Sequence, residues 1–503
     1  MADKENITER THPLYDKYLP EWNFFMESAL GGKDYCDNED NLFTHRLEDQ
    51  AGDYEDRLER VYYLNYCGLV CSTYSEYIFK EIVNRPEDTL LDEFRKDVDG
   101  RGTDINTFMA KVSTLSSIYG HVHIVVDNSE FDYSSKIPLH VYKKNRTMKP
   151  YVTIVQPQDL RDWSIDEFGN VLWILIRRRG YSDADPLSPR EPEDTYRLIT
   201  REEWYVFDKD GNMLKEGTNN LGEVYLVTCY NKDTDSDMIG ESLITDVARI
   251  NRIIYNWCSN IDEMIERQTF SQLVMPDDPQ SQLYEKDEKG TPLEILGTSQ
   301  IFTFPASAGH PPQFISPDTS QIKIIWEMIQ EHIDKIYELS GLGMVGERSK
   351  FMSQRSGVSL AYQFTDVNSS LAKKAAKLEK AENEIYQFVC LWNGKARDSF
   401  ARVEYPKQFD ISSLTEVLAT TFDIVSQDIS ETLSVELLKA LVKKAVPALP
   451  DEIISQINDE IKAKGGKIAL PFSNTNTNLM GRKTAQPQDK LGTKNTADTA
   501  NNQ

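Results

Sequence analysis

The chain is short of paired cysteines, of long apolar runs and of positive charge. Its six cysteines (Cys36, Cys67, Cys71, Cys229, Cys258 and Cys390) are scattered through 503 residues without a C-x-x-C spacing. That pattern excludes a disulfide framework and a zinc ribbon read from spacing, and it predicts reduced thiols that serve as small packing groups in an intracellular protein. The opening Met1-Ala2-Asp3-Lys4-Glu5 is polar and carries no apolar signal core. No apolar run approaches the roughly 18 residues that span a bilayer, and Val171-Leu172-Trp173-Ile174-Leu175-Ile176 reads as a buried strand instead. Lys and Arg number 56 against 81 Asp and Glu, a formal net charge of −25. Such a balance excludes a simple basic clamp for nucleic acid. It fits a soluble protein, a large assembly, or a surface past which DNA slides without sticking.

What is present is enough for several packed domains: 39% hydrophobic residues, 10% of all residues aromatic. The first 52 residues are acidic and mixed, with a short helix expected over Glu21–Leu30. From Tyr54 to Val83 the apolar positions Leu58, Val61, Tyr62, Tyr66, Leu69, Val70, Tyr74, Tyr77, Ile78 and Ile82 keep a helical period until Arg85-Pro86 stops it. A second helix is expected from Asp104 to Tyr119, with Gly120 as its C-cap. The period then falls from about 3.6 to 2. Strands are expected at His121–Val126, Tyr151–Val155, Val171–Arg177, Thr195–Ile199, Trp204–Phe207 and Val224–Tyr230, with turns at Asp166–Asn170 and Asp208–Asn212. The fold class is therefore α+β with an antiparallel sheet.

Helix returns over Ile239–Gln268 on a stripe of Leu243, Val247, Ile250, Ile253, Ile254, Trp257 and Ile261. A proline-punctuated, β-rich insert follows from Phe270 to Pro317. Ile325, Ile329, Ile333, Ile336 and Leu339 then mark another helix. Gly341-Leu342-Gly343-Met344-Val345-Gly346 spells G-x-G-x-x-G, but a dinucleotide fingerprint needs those glycines after a strand and before a helix. Here they end a helix and begin a loop. After Gly357 no proline or glycine interrupts Val358–Asn393, whose apolar positions run from Leu360 through Phe364, Val367, Leu371, Ala375, Leu378, Ala381, Ile385 and Phe388 to Trp392. This helix is expected to extend about 50 Å. A strand at Arg402–Tyr405 and short helices near Leu414–Val425, Val435–Val446 and Glu452–Lys464 follow. Residues 473–503 are polar, lack aromatics and are expected to be disordered.

Catalytic and ligand motifs fail on their spacing. Gly31-Gly32-Lys33-Asp34 and Gly465-Gly466-Lys467-Ile468 lack both the first glycine and the Ser/Thr of a phosphate loop. Asp233-Thr234-Asp235-Ser236-Asp237 alternates carboxylates like a calcium loop, yet Met238 replaces the glycine and Ile244 the closing glutamate. It reads as a solvated loop capping the next helix, with weak cation binding as the alternative. His121 and His123 share a strand face that suits packing or metal ligation, and no third ligand stands nearby. Cys67 and Cys71 share a helix face without a second pair. There is no G-x-S-x-G elbow. No catalytic residue, cofactor or metal site is assigned.

In order, these elements are an α+β domain, a helix, a small β-rich insert, a returning helix, a glycine-bearing loop, a very long helix and a helical C-terminal region. The order resembles that of bacteriophage portal proteins, over roughly residues 50–465. The most specific stretch is Ile325–Trp392, with Tyr337-Glu338-Leu339-Ser340 before the loop and Ser356-Gly357-Val358-Ser359-Leu360-Ala361 after it. Asp237-Met238-Ile239-Gly240-Glu241-Ser242-Leu243-Ile244 is similar to the polar turn that opens the first stem helix.

The resemblance implies a division into an N-terminal acidic segment joined to the wing (1–52), a wing (53–238), a stem helix (239–269), a clip (270–317) and a returning stem helix (318–340). It continues as a tunnel loop (341–357), a channel-side helix (358–395), a wing return and crown (396–470) and a tail (471–503). It also implies a homo-oligomeric ring, commonly of twelve copies, at one capsid vertex of a virion assembled in the host cytoplasm. Double-stranded DNA passes through such a ring without sequence preference. Its partners are the terminase large subunit, a head-tail adaptor or connector, the major capsid protein and scaffold, with no membrane and no ATP hydrolysis of its own.

On that reading Gly341, Gly343 and Gly346 give the loop its freedom and Arg348, Lys350 and Arg355 touch phosphates, where the plain alternative is solvated loop residues. Asp277, Asp278, Glu285, Asp287 and Glu288 form an acidic clip rim for a partner to read. The competing readings are a capsid-associated adaptor or scaffold without a channel, and a metal-dependent nuclease built on the acidic clusters.

Overall fold

The computed structural model describes residues 7–44, 53–128, 149–181, 190, 192–268, 272–277, 302–305, 313–315, 320–342, 357–409, 431–445 and 451–463. The chain divides into a unit ending at Asp410 and a second unit from Ile411 onward.

Helix α1 (Pro13–Leu30) starts well before the expected Glu21. Pro13 occupies its first turn, where a missing N–H costs nothing, and the His12 side chain accepts from Leu14 N. Pro20 sits inside it on the exposed side, while Tyr15, Trp22, Phe25 and Ala29 make the buried stripe. Short α2 (Gly32–Cys36) follows. The single helix expected over 54–83 is two, α3 (Asp53–Arg60) and α4 (Tyr66–Lys80). The break has a helix cap and a tertiary contact behind it. Asn65 caps α4 by accepting from Gly68 N, and Tyr63 stacks on Tyr35 with centroids 3.9 Å apart. After α5 (Thr89–Lys96), α6 (Ile105–Tyr119) has the expected ends: Asp104 caps Asn106 and Thr107, and Gly120 closes it at φ 90°.

The strands form two antiparallel sheets rather than one. β1 (His121–Asp127) is wholly buried and lies between β2 (Tyr151–Val155) and β8 (Leu226–Tyr230). The second sheet has the order β3 (Leu160–Ile165), β4 (Val171–Arg178), β5 (Thr195–Thr200), β6 (Glu203–Phe207) and β7 (Met213–Thr218). β3 and β7 were not expected. Charged Arg161 and Asp162 hide the alternation of β3. β7 is an exposed edge strand whose form comes from pairing with β6 rather than from its own pattern. Both expected turns are present: Asp166 and Asp208 each accept from backbone N–H groups two and four residues on, and Asn170 and Asn212 donate back to them.

Helix α7 runs Thr245–Gln268, not from Ile239. Met238 has φ 64°, outside helical geometry, and Gly240 bridges Asp233 before Ser242 turns the chain into α7. The Asp233–Asp237 loop therefore does not cap this helix; the Ser242 hydroxyl accepts from Ile244 N and donates to Ile118 O at 2.6 Å. Gly240 lies against Gly120 so closely that a Cβ on it would stand 2.2 Å from the Gly120 carbonyl oxygen. Gly240→Ala is expected to cost about 1–3 kcal/mol of stability by forcing those backbones apart. Equilibrium urea unfolding checks this, and an unchanged midpoint would contradict the close approach.

Three strands follow α7. β9 (Gln272–Asp277) lies between β10 (Phe302–Pro305), parallel to it, and β11 (Gln313–Ile315), antiparallel. β11 covers only Gln272–Val274, so among the described residues Pro276 is paired on one side alone, opposite Phe304 of β10. α8 (Ser320–Leu339) returns and packs on α7. The long helix, α9 (Gly357–Trp392), has 36 residues and spans about 54 Å. Arg402–Tyr405 is not a strand: Glu404 makes an isolated bridge to Asn84. In the second unit α10 (Glu431–Ala445) packs against α11 (Asp451–Ala463). The region around Leu414–Val425 and residues 473–503 lie outside the described residues.

Candidate functional site

The root of α7 is held by side-chain amides that read the backbone of the N-terminal segment. Asn251 accepts from Tyr66 N at 3.1 Å and donates to Leu64 O at 3.0 Å. Asn256 accepts from Phe43 N at 2.7 Å and donates to Asn41 O at 2.9 Å. Between them Arg252 lies over the rings of Phe24 and Phe43. Buried Ile254, Tyr255, Cys258 and Ile261 supply the apolar contact. Farther along, Ile265 is exposed.

α8 turns Ile329 and Ile336 inward, and its His332 meets Trp257 of α7 edge-on at 4.7 Å. Ile324, Trp326, Met328 and Leu339 stay outside. Trp326 is 50% exposed and Ile324 59%. At 100° per residue, Ile324, Met328 and Leu339 fall on one flank of the buried stripe and Trp326 on the other. A helix with apolar side chains on both flanks of its seam is not satisfied by one partner helix.

α8 ends on a Schellman motif. Gly341 has φ 71°, its N–H reaches Glu338 O at 3.0 Å, and Leu342 N–H reaches Tyr337 O at 2.8 Å. The end is then fixed to α4: the Tyr74 hydroxyl donates to Ser340 O at 2.7 Å, and Tyr66 meets Tyr337 edge-on. Leu342 is buried.

From Val367 onward α9 is seated in the core, with Val367, Leu371, Ala375, Leu378, Ala381, Ile385 and Phe388 buried as the apolar stripe requires. Two charged residues share this seat. Glu382 is wholly buried and accepts from Arg85 Nε and Nη2 (2.6 and 3.0 Å), from Tyr386 at 2.6 Å and from Tyr405 at 2.6 Å. Arg85 continues to Asn106 at the start of α6. Burial opposes the Arg85 charge, but its hydrogen bonds and pairing with Glu382 hold it above its ordinary pKa. Burial, then the Glu382 charge, drives the Tyr386 and Tyr405 hydroxyls up.

Lys374, also buried, donates to Ser116 Oγ at 2.7 Å and Asn231 Oδ1 at 2.9 Å. Desolvation pushes it down to about 8, with Cys229 and Cys71 acting the other way. On the surface Lys377 pairs with Asp233 and Arg397 with Glu223.

Sequence reasoning missed Arg85, Lys374 and Glu382. Lys374 and Glu382 stand three or four residues from apolar stripe positions on both sides, and a charge in phase with such a stripe was the available signal.

Of the loop residues singled out from the sequence, Gly341 is the cap just described, while Gly343, Gly346, Arg348, Lys350 and Arg355 lie outside the described residues. Asp277 ends β9; Asp278, Glu285, Asp287 and Glu288 lie outside the described residues. His121 and His123 serve as packing groups. His121 accepts from Gly240 N, His123 contacts Thr228 Oγ1 at 3.0 Å, and Trp22 meets the His121 ring edge-on. Desolvation lowers His121 to about 3 and His123 well below its usual value. Cys67 and Cys71 are buried thiols raised by desolvation, Cys67 to about 12. Among the described residues no group of three His, Cys, Asp or Glu is placed to hold a metal ion, and no helix is long and apolar enough to cross a membrane.

No protein-family model and no curated protein matches this sequence. Among solved structures the fold is similar to a chain from the neck of a native gene transfer agent particle computed with C12 symmetry. The match has 9% identity and a TM-score of 0.38, and covers 72% of this chain and 84% of that one. A chain from the virion of a native gene transfer agent particle matches at 9% identity and a TM-score of 0.39, again over 72% and 84%. One from the neck of an empty particle computed with C6 symmetry matches at 8% identity and 0.39, over the same shares.

Proposed function

We propose that the chain is a portal protein: a structural subunit that forms a ring, of twelve copies on the family pattern, at one vertex of a viral capsid. Double-stranded DNA passes through that ring in packaging and ejection. The observation that carries this reading is the helix pair α7 and α8. It brackets a three-stranded sheet, presents apolar side chains on both flanks of its seam, and runs through a capped end toward a long helix rooted in the core. Ile324 and Met328 on one flank and Trp326 on the other are matched by neighbouring copies on either side. A head-to-tail contact of this kind gives a ring when its rotation closes, and closure is part of the proposal. An acidic chain lowers friction for a polyanion, and Arg348, Lys350 and Arg355 supply brief phosphate contacts.

The β9–β11 region, with Asp277, Asp278, Glu285, Asp287 and Glu288, is the rim that the terminase large subunit and later a head-tail adaptor read. The protein itself carries out no catalysis and needs no cofactor. Capsid protein and scaffold are its partners during assembly in the host cytoplasm.

Because Gly341 is a helix cap, the loop is tested through the other two glycines. Gly343→Ala with Gly346→Ala is expected to leave ring formation intact and to cut packaged genomes at least tenfold in a packaging assay, by restricting backbone freedom beside the duplex. Normal packaging by that variant would remove the loop from the proposed mechanism.

A further inference from the structure

The two helices that flank residues 343–356 meet one side chain of α4. Tyr74 is buried, and its hydroxyl donates to the carbonyl of Ser340, the residue that ends α8. A Cβ on Gly341 would stand 3.2 Å from that same hydroxyl. Ser370, on α9, lies near enough to that hydroxyl to oppose the upward push of burial on it. The same helix makes further contacts to both neighbours: Tyr66 meets Tyr337 of α8 edge-on, and α4 packs along α9, where Cys71 lies close enough to Lys374 to act on its charge. α4 is in turn fixed to α6 by the Ser75 hydroxyl, which donates to Ala110 O at 3.0 Å.

We propose that Tyr74 is a positioning residue, a clasp that holds the end of α8 and the body of α9 on α4. The end of α8 and the body of α9, which that segment connects, thereby share one support. The physical reason is that the C-terminal carbonyls of a helix have no partner within the helix, so an outside donor fixes where it ends. Ser340 O receives that donor from a residue that also contacts the next helix in sequence. Force applied to the joining segment then passes into α4 and α6 instead of prising α8 from α9. The anchoring is independent of the conduit reading; its role in bearing load from moving DNA rests on it.

Tyr74→Phe removes the hydroxyl and keeps the ring. Hydrogen exchange on purified protein is expected to show the Gly341 and Leu342 amides, which close the cap, exchanging at least tenfold faster. Amides in α6 and β1 should stay unchanged. Unaltered exchange at 341 and 342, or an equal rise throughout α6 and β1, overturns the clasp and leaves the conduit reading untouched. Particles assembled with Tyr74→Phe are expected to package DNA and then lose it at least threefold faster than wild type on mild heating. If the cap loosens but genome retention is unchanged, the load-bearing role is overturned. The choice of Phe keeps folding intact, and a Tyr74→Leu variant that loses the ring as well should unfold at lower denaturant, separating packing from the hydroxyl.

Discussion

Glu382→Ala should destabilise the first unit by about 3–5 kcal/mol, because it leaves a buried guanidinium and two buried phenols without their acceptor. The carboxylate accepts four hydrogen bonds, and the Arg85 side chain is only 10% exposed, so water cannot replace what is lost. These bonds join three separate stretches of chain: the connection after α4, the last third of α9, and the segment around Tyr405. Removing both charges is expected to hurt less than removing one. Arg85→Met with Glu382→Leu should recover at least half of the loss, since an apolar pair of similar volume no longer bears desolvation. Guanidinium unfolding of the two variants checks both statements. A Glu382→Ala protein within 1 kcal/mol of wild type would mean that the carboxylate is not the joint described here.

The second large effect is acid sensitivity above the carboxylate range. His121 and His123 are buried and hold their pKa values far below the ordinary 6.5, His121 at about 3. Folded, they bind fewer protons than unfolded in the window between those values. Stability is therefore complete above about pH 6.5 and falls as pH drops toward the folded values, by about 1.4 kcal/mol per pH unit for each group. Between pH 6.5 and 4.5 the loss should reach roughly 3–5 kcal/mol, before most carboxylates titrate. His123→Phe keeps a ring edge-on to His121 and removes one titrating group, so its stability should fall about half as steeply over that window. Urea midpoints at half-unit pH steps give the comparison. Parallel slopes for wild type and variant would contradict the assignment.

The parts of the molecule that were legible from the sequence are those whose form is set locally. α6 has a capping aspartate at one end and a glycine at the other, and α9 keeps one apolar stripe without a breaker, so both were placed to within a residue or two. Where tertiary contacts decide, the pattern misled. The stripe Leu58, Val61, Tyr62, Tyr66 runs straight across the break between α3 and α4, because spacing does not register Tyr63 turning inward to stack on Tyr35. Ile239 and Leu243 likewise fit the stripe of α7, but the positive φ of Met238 and the contact of Gly240 with Gly120 keep that stretch out of the helix. Of the candidate site, Gly341 was legible as a helix end from its place after Leu339. The partners that fix it, Tyr74 and Tyr66, lie more than 260 residues away, and no local signal links them. Glu382 and Lys374 were hidden in a Lys- and Glu-rich stretch that looks like an ordinary solvated helix face.

Mass measured on the purified chain under native conditions tests the central claim most directly. A closed ring of twelve 57.7 kDa copies should give a discrete particle of about 690 kDa, with a central hole in negative-stain images. Ile324→Asp with Trp326→Asp should reduce that particle to folded monomers. A chain that stays at 57.7 kDa across protein and salt concentrations, or assembles without a hole, would contradict the account.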